Sequence, residues 1–273
     1  MPLPRLTATR YVQPLREGGS LPAVVDTDDG LYVVKFRGAG QGAKALLAEL
    51  VVGGLARAAG LAVPELALIE VLAPFGRTEP DPEIQDLLRA SQGINVGLRY
   101  LDGAFNFSPA AAGDLIDAAL AARIVWLDAF LINPDRTHRN PNLLLHEGTP
   151  WLIDHGAALY VHHDWRSVDE TRARAPFPLI RDHVLLALSD DLAAADAAMT
   201  ARLTSAVIGE VVAALPDELL ADHRDAMAPD EVRQRYVAYL TARLADGRPF
   251  LAEAIEARER VRREPPLRRQ ARR

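Results

Sequence analysis

The stretch from Ile124 to Leu159 constrains this chain more than any other part of it. An apolar helix runs into a polar loop, Asn133-Pro134-Asp135-Arg136-Thr137-His138-Arg139-Asn140, in which Asn140 follows Asp135 by five positions. Leu143, Leu144 and Leu145 then read as a short strand, His146-Glu147-Gly148-Thr149 as a turn, and Trp151, Leu152 and Ile153 as the strand that returns. Such a hairpin delivers Asp154 to the side of the structure that holds the loop, and Gly156 allows a sharp turn just past it. Asp, Asn, Pro and Gly are also ordinary turn residues, so neither fragment alone carries much meaning. Their combination across one hairpin is the informative feature.

Two carboxylates and one carboxamide gathered in this way suit phosphoryl transfer. That reaction asks a protein chiefly to align the nucleophile and to neutralise phosphate charge. Mg²⁺ takes hard oxygen ligands, commonly one or two carboxylates completed by nucleotide phosphates. Asp154 and Asn140 supply such ligands, and Asp135 is placed to orient an attacking hydroxyl and accept its proton. The order D-x-x-x-x-N, strand hairpin, D-x-G is that of the kinase signature set.

At 273 residues the chain accommodates one large domain or two lobes around a sizeable core. Its apolar and charged fractions are those of an ordinary soluble protein. The most apolar helix is interrupted by Arg123 and Asp128, so no stretch reaches the length of a membrane span. Met1 to Leu15 contains no apolar h-region, which argues against a secretory leader. Without cysteine there is neither a disulfide framework nor a thiolate metal site. A cytoplasmic location is expected. The net charge of −6 conceals an asymmetry, because Arg258 to Arg273 carry eight arginines against Glu259 and Glu264. That tail lacks interleaved aromatic residues on which bases stack; it reads as a solvated helix end, and no stable nucleic-acid partner is expected. Only Lys35 and Lys44 are lysines, which raises the question of whether an ammonium is needed at each.

Leu21 to Phe36 reads as a β-hairpin around Asp26-Thr27-Asp28-Asp29-Gly30. The preceding Glu17-Gly18-Gly19-Ser20 places two glycines where backbone N–H groups can approach phosphate oxygens, with Ser20 beside them. Gly-Gly equally makes a plain loop. Lys35 shares a strand face with Leu31 and Val33, so it stands at an exposed edge or faces a cleft. The next helix, Ala43 to Ala59 with Gly60 as its stop, bears on that choice. Leu46, Glu49, Leu50 and Gly53 recur at i, i+3, i+4 and i+7, which sets Glu49 in the inward stripe. A carboxylate there needs a partner, and Lys35 is the nearest candidate in sequence; at the stripe's margin Glu49 would instead reach water. A strand lysine held by a helix glutamate is how kinases fix a phosphate-binding ammonium.

Leu66 to Val71 continues as a strand, and Ala73 to Gln92 is a polar insertion with a short helix starting near Asp81-Pro82. Ile94 to Leu101 is apolar and extended. In a two-lobed kinase this strand passes into the hinge beside the adenine, where backbone groups near Tyr100 and Leu101 do the recognition. From Ser108-Pro109 a long helix is predicted, leading directly into the Asn133 loop. Helical patterns follow at Leu179 to Leu188, Ala194 to Leu215, Asp230 to Asp246 and Pro249 to Arg263. His162-His163-Asp164 reads as an exposed loop rather than a metal site, and Trp126 and Trp151 as core. Strands first and helices after give an α+β fold. A small β-sheet lobe with one helix covers 1–102, a larger, mostly α lobe 103–263, and a basic tail 264–273.

Gly18-Gly19-Ser20, Lys35, Glu49, Asp135 with Asn140, and Asp154, in that order, make the chain resemble the HipA-like kinases and, more distantly, the phosphatidylinositol 4-kinases. The likeness is closest at Tyr32-Val33-Val34-Lys35-Phe36, at Leu55-Ala56 with Gly60-Leu61-Ala62-Val63-Pro64, and at Asn133-Pro134-Asp135-Arg136 with Asn140. It spans about Gly18 to Tyr160. The resemblance implies a bilobal protein-kinase-like fold, ATP as donor and Mg²⁺ as cofactor. It implies Lys35 on the ATP phosphates, Glu49 holding Lys35, Asp135 as the catalytic aspartate, and Asn140 and Asp154 on the metal. His155 replaces the Phe of the usual D-F-G, and no His-Arg precedes Asp135, which argues against ordinary eukaryotic-type kinases. The chain is shorter than full-length HipA toxins and by this reading lacks their extra N-terminal subdomain, which argues against a toxin role and an antitoxin partner. HipA-like proteins can be autophosphorylated on a serine of the phosphate loop, the position with which Ser20 is compared. The expected activity is transfer of the ATP γ-phosphate to a hydroxyl, with a protein Ser/Thr as acceptor. A small-molecule acceptor, as in aminoglycoside or sugar kinases, and a nucleotide-sensing module without useful turnover are the alternatives.

Overall fold

The first strand, β1 (Arg5–Pro14), is one that the sequence pattern conceals. Register shifts between Ala8 and Arg10 and between Tyr11 and Gln13 break the period of two by which strands are recognised. β1 pairs antiparallel with β2 (Ala23–Thr27), which turns through Asp28 and Asp29 into β3 (Gly30–Lys35). Helix α1 (Gly42–Ala58), β4 (Leu66–Val71), helix α2 (Pro82–Ala90) and β5 (Gly93–Arg99) follow. The strand order β1-β2-β3-β5-β4 closes on itself through a parallel β1–β4 pairing, so the N-terminal sheet is a barrel. Two helices accompany it, so the expectation of a lobe with one helix is corrected, although the residue patterns point to both. The second begins as the sequence suggests, with the Asp81 side chain capping the Glu83 amide and Pro82 in the first turn.

These positions come from a computed structural model, which describes residues 3–15, 21–40, 42–77, 79–108, 115–221 and 227–263. Gly18, Gly19, Ser20, Pro109 and the basic tail over 264–273 lie outside the described residues.

α1 is buried on nearly every side, because it lies between the barrel strands β4 and β5 and the later helices. Two adjacent glycines permit this. A Cβ on Gly53 would come within 2.9 Å of Leu66, and one on Gly54 within 2.8 Å of Val211. The helix that carries Glu49 is thus fixed by packing on both sides.

The chain then forms β6 (Phe105–Asn106), helix α3 (Ala118–Phe130), β7 (Leu143–His146) and β8 (Thr149–Leu152), the three strands making a second sheet. α3 begins at Ala118, not at Ser108, because the Asp117 carboxylate accepts the Leu120 amide at 2.6 Å and caps it there. Short helices α4 (Glu170–Ala173), α5 (Leu192–Arg202), α6 (Ser205–Ala213) and α7 (Asp217–Leu220) precede the longer α8 (Pro229–Leu244) and α9 (Pro249–Arg263).

Two helical expectations need correction. Leu179 to Leu188 holds only a 3₁₀ turn at Pro178–Asp182, because His183 is drawn into a β-bridge with Thr137 and the Val184 amide bonds the Arg136 carbonyl. Ala194 to Leu215 is split at Leu203-Thr204, where the threonine caps a new helix. His162 is corrected too: it is fully buried, with Nδ1 2.7 Å from the Tyr236 hydroxyl. Trp126 is core, stacked among Phe130 and Phe250, whereas Trp151 is only half-buried. No helix of the described residues is long and apolar enough to cross a membrane.

Candidate active site

β3 ends on Lys35, which alternates with the barrel-lining Tyr32, Val34 and Phe36 and so faces outward toward α1, where Glu49 meets it. Lys35 Nζ donates to Glu49 Oε2 at 2.7 Å and to Asp154 Oδ1 at 2.6 Å, the latter 119 residues away in sequence. Glu49 is fully buried, and the same Oε2 accepts the His155 amide at 2.8 Å. Burial pulls the Lys35 ammonium toward deprotonation, but the Glu49 and Asp154 carboxylates outweigh it and raise its pKa. Burial likewise raises the Asp154 carboxyl, and the facing ammonium outweighs that, leaving it lowered. Asp154 sits in the left-handed region at φ +54. The aspartate thus bends the chain itself, and the turn expected at Gly156 follows directly, closed by the Ala158 amide on the His155 carbonyl at 3.0 Å; left-handed conformations in non-glycine residues gather at functional sites.

Asp135 lies in the loop below. Asn140 Nδ2 and Asn142 Nδ2 both donate to its Oδ2, at 2.9 and 3.1 Å, and its amide bonds Asn133 Oδ1 at 3.1 Å. The loop is braced by the Thr137 amide on the Asn140 carbonyl at 2.9 Å. Asn142 reaches the second carboxylate segment as well, with Nδ2 3.4 Å from the Asp154 carbonyl. The site thus gathers Lys35, Glu49, Asp154, Asp135 and Asn140. Tyr100 and Leu101 stand at the other end of β3, where the Tyr100 amide bonds the Leu31 carbonyl at 2.9 Å and the Leu101 carbonyl accepts the Ala104 amide.

Behind these residues runs a buried polar network that sequence reasoning missed. Asp128, near the end of α3, accepts Asn133 Nδ2 at 2.9 Å, Arg136 Nε at 2.6 Å and His183 Nε2 at 2.9 Å. Burial pushes its carboxyl up, but the Arg136 charge and the His183 hydrogen bond outweigh burial and hold it far below the usual range. Arg136 also donates to the Asn142 carbonyl, and its Nη2 lies 3.2 Å from His155 Nδ1. A guanidinium has no acceptor, so that ring nitrogen is unprotonated. Burial pushes the His155 ring down to about 4, which keeps it neutral. In the sequence, Asp128 registers only as an interruption of an apolar helix. A buried charge in such a helix demands a partner, and that was the available signal.

The donor set fits Mg²⁺. Asn140 gives its nitrogen to Asp135, leaving its oxygen as the ligand atom on offer. Asp154 turns one oxygen to Lys35 and keeps the other, on a side chain 40% exposed. Among the described residues no group of three or more His, Cys, Asp or Glu side chains could hold a metal alone. An ion here must draw further ligands from elsewhere, which suits a cation that phosphates and water complete.

A barrel lysine clamped to a helix glutamate, and set against an aspartate from a strand hairpin, is the constellation of the kinase-like folds. Within that class, the chain belongs to the HipA-like kinase family, whose model matches residues 10–246. Among solved structures it is similar to the proinflammatory kinase CtkA of Helicobacter pylori, at 15% identity and a TM-score of 0.54, covering 89% of this chain and 98% of that one. At that identity the likeness is one of fold. Comparison with curated proteins finds no match.

Proposed function

We propose that this protein transfers the γ-phosphate of ATP to a hydroxyl group, with a protein serine or threonine as acceptor. The observation that carries the reading is Lys35 Nζ standing between Glu49 Oε2 and Asp154 Oδ1, at 2.7 and 2.6 Å. Two carboxylates against one ammonium leave this corner net negative, so a triphosphate enters with a divalent cation rather than alone. Lys35 turns to the phosphate oxygens while Glu49, itself fixed by the His155 amide, keeps the ammonium from swinging away. Asp154 and Asn140 would hold Mg²⁺, which when bound neutralises phosphate charge. Backbone groups at Tyr100 and Leu101 would meet the adenine edge. Asp135 accepts a hydrogen bond from the acceptor hydroxyl and takes its proton as the new O–P bond forms. Both carboxamides sit on Asp135 Oδ2, which leaves Oδ1 as the atom that receives the proton.

The test is transfer of label from ATP into a lysate by the parent protein and by Asp135→Asn. Transfer into protein is expected to fall at least about 100-fold in the variant, with ATP affinity kept. Parent-rate transfer by Asp135→Asn removes the role given to Asp135. Label entering only the low-mass fraction replaces the protein acceptor with a small molecule, and tight ATP binding without product in any lysate makes the chain a nucleotide-sensing module.

A further inference from the structure

We infer that Asn142, held from behind by Arg136, is the positioning residue that aligns Asp135 with Asp154. The inference rests on the phosphotransferase reading above and concerns how its two aspartates are kept in register. They lie on different segments, a loop and the end of a hairpin, and Asn142 is the residue that touches both. Its Nδ2 is 3.1 Å from Asp135 Oδ2, 3.4 Å from the Asp135 carbonyl and 3.4 Å from the Asp154 carbonyl. Its own carbonyl accepts the Ile153 amide at 3.1 Å, so the residue before Asp154 is tied to it by backbone as well.

Asn142 holds the left-handed conformation at φ +49, which asparagine tolerates better than most side chains. Its position is set by Arg136, which is fully buried and spends its planar donor fork in three directions. Nε goes to Asp128 at the root of the loop, Nη1 to the Asn142 carbonyl and Nη2 to His155, the neighbour of Asp154. The Arg136 main chain lies next to Asp135 and accepts the Val184 amide at 3.0 Å. One rigid cation, itself the residue after Asp135, thus fixes the residue after Asp154 together with the asparagine between them. A buried pair kept only for stability could be exchanged for apolar groups at little cost; three donors aimed at three functional segments could not.

Two variants of the full chain test this. Asn142→Gly deletes the carboxamide while keeping a residue at ease in the left-handed region. It is expected to lower kcat about 10- to 100-fold and to leave KM for ATP within about twofold, since the Lys35–Glu49 grip is untouched. A folded Asn142→Gly protein with the parent kcat overturns the inference, and so does an equal loss in KM for ATP. Arg136→Lys keeps the charge on Asp128 but loses the fork, and it is read by amide hydrogen exchange, which needs no turnover. The Ile153 amide is expected to exchange at least about tenfold faster, while amides of the β2–β3 hairpin stay as in the parent. Parent-like protection at Ile153 overturns the role of Arg136. If the parent transfers phosphate to no acceptor, the phosphotransferase reading fails, and the exchange measurement still judges the clamp.

Discussion

Two sets of charged side chains meet at His155 and are built on different terms. In one, Lys35 and Glu49 are buried while Asp154 stays 40% exposed, and the charges sum to a net negative that an entering ligand can correct. In the other, Asp128 and Arg136 are wholly enclosed and His183 nearly so, with Asp128 accepting from Asn133, Arg136 and His183. His155 links them, its amide on Glu49 and its ring on Arg136. Exposure, more than charge, separates the part of the site proposed to meet substrate from the part proposed to aim it. Measured as unfolding free energy, the closed set should matter most.

Asp128→Ala breaks that comparison most directly. It strips the partner from a buried guanidinium and leaves Asn133 and His183 without their acceptor, and removal of one member of a buried pair costs about 3–5 kcal/mol. Urea unfolding measures it. A loss under about 1 kcal/mol would mean that the closed set is no more tightly built than the open one.

The open set is also the readable one. Lys35 and Glu49 follow from strand alternation and a helical stripe, and Asp135, Asn140 and Asp154 from a fixed spacing across a hairpin; all of these patterns are local. Arg136 and Asn142 sit in the same loop, yet nothing local separates them from turn residues. Their meaning lies in contacts with Asp128, His155 and His183, which only tertiary structure brings together. The same limit hid β1, whose bulges disrupt alternation, and merged α5 with α6, whose break at Thr204 is one hydroxyl on the Val207 amide. Pairing of His183 with Thr137 likewise overrode an apolar run that reads as helix.

Acid should sharpen the contrast. Burial lowers the rings of His155, His162 and His183 from their ordinary 6.5, His155 to about 4 and His162 with help from His163 and Lys44. The unfolded chain takes up protons below about 6.5 that the folded rings refuse, so this stability is present above that pH and is lost as pH falls. At pH 5.5 the His155 ring, held down at about 4, costs about 1 kcal/mol. Against burial, the Lys35 ammonium holds the Asp154 carboxyl below its ordinary value, so it stays ionised and contributes nothing over that interval. Unfolding curves at pH 7.5 and 5.5 check the claim, and equal stability at the two would remove the closed network's assigned protonation states.

Asp154→Asn should affect stability least and chemistry severely. Asparagine preserves the shape and tolerates φ +54. Glu49 still neutralises Lys35, and the lost charge is partly solvated, so unfolding free energy should change by about 1 kcal/mol or less. Phosphate transfer should nevertheless fall at least about 100-fold, because the variant loses a hard anionic ligand where phosphate charge is to be neutralised. Melting curves beside transfer assays separate the two quantities. A variant that unfolds as readily as Asp128→Ala would show that Asp154 belongs to the enclosed framework, and one that transfers phosphate at the parent rate would take it out of the cation site.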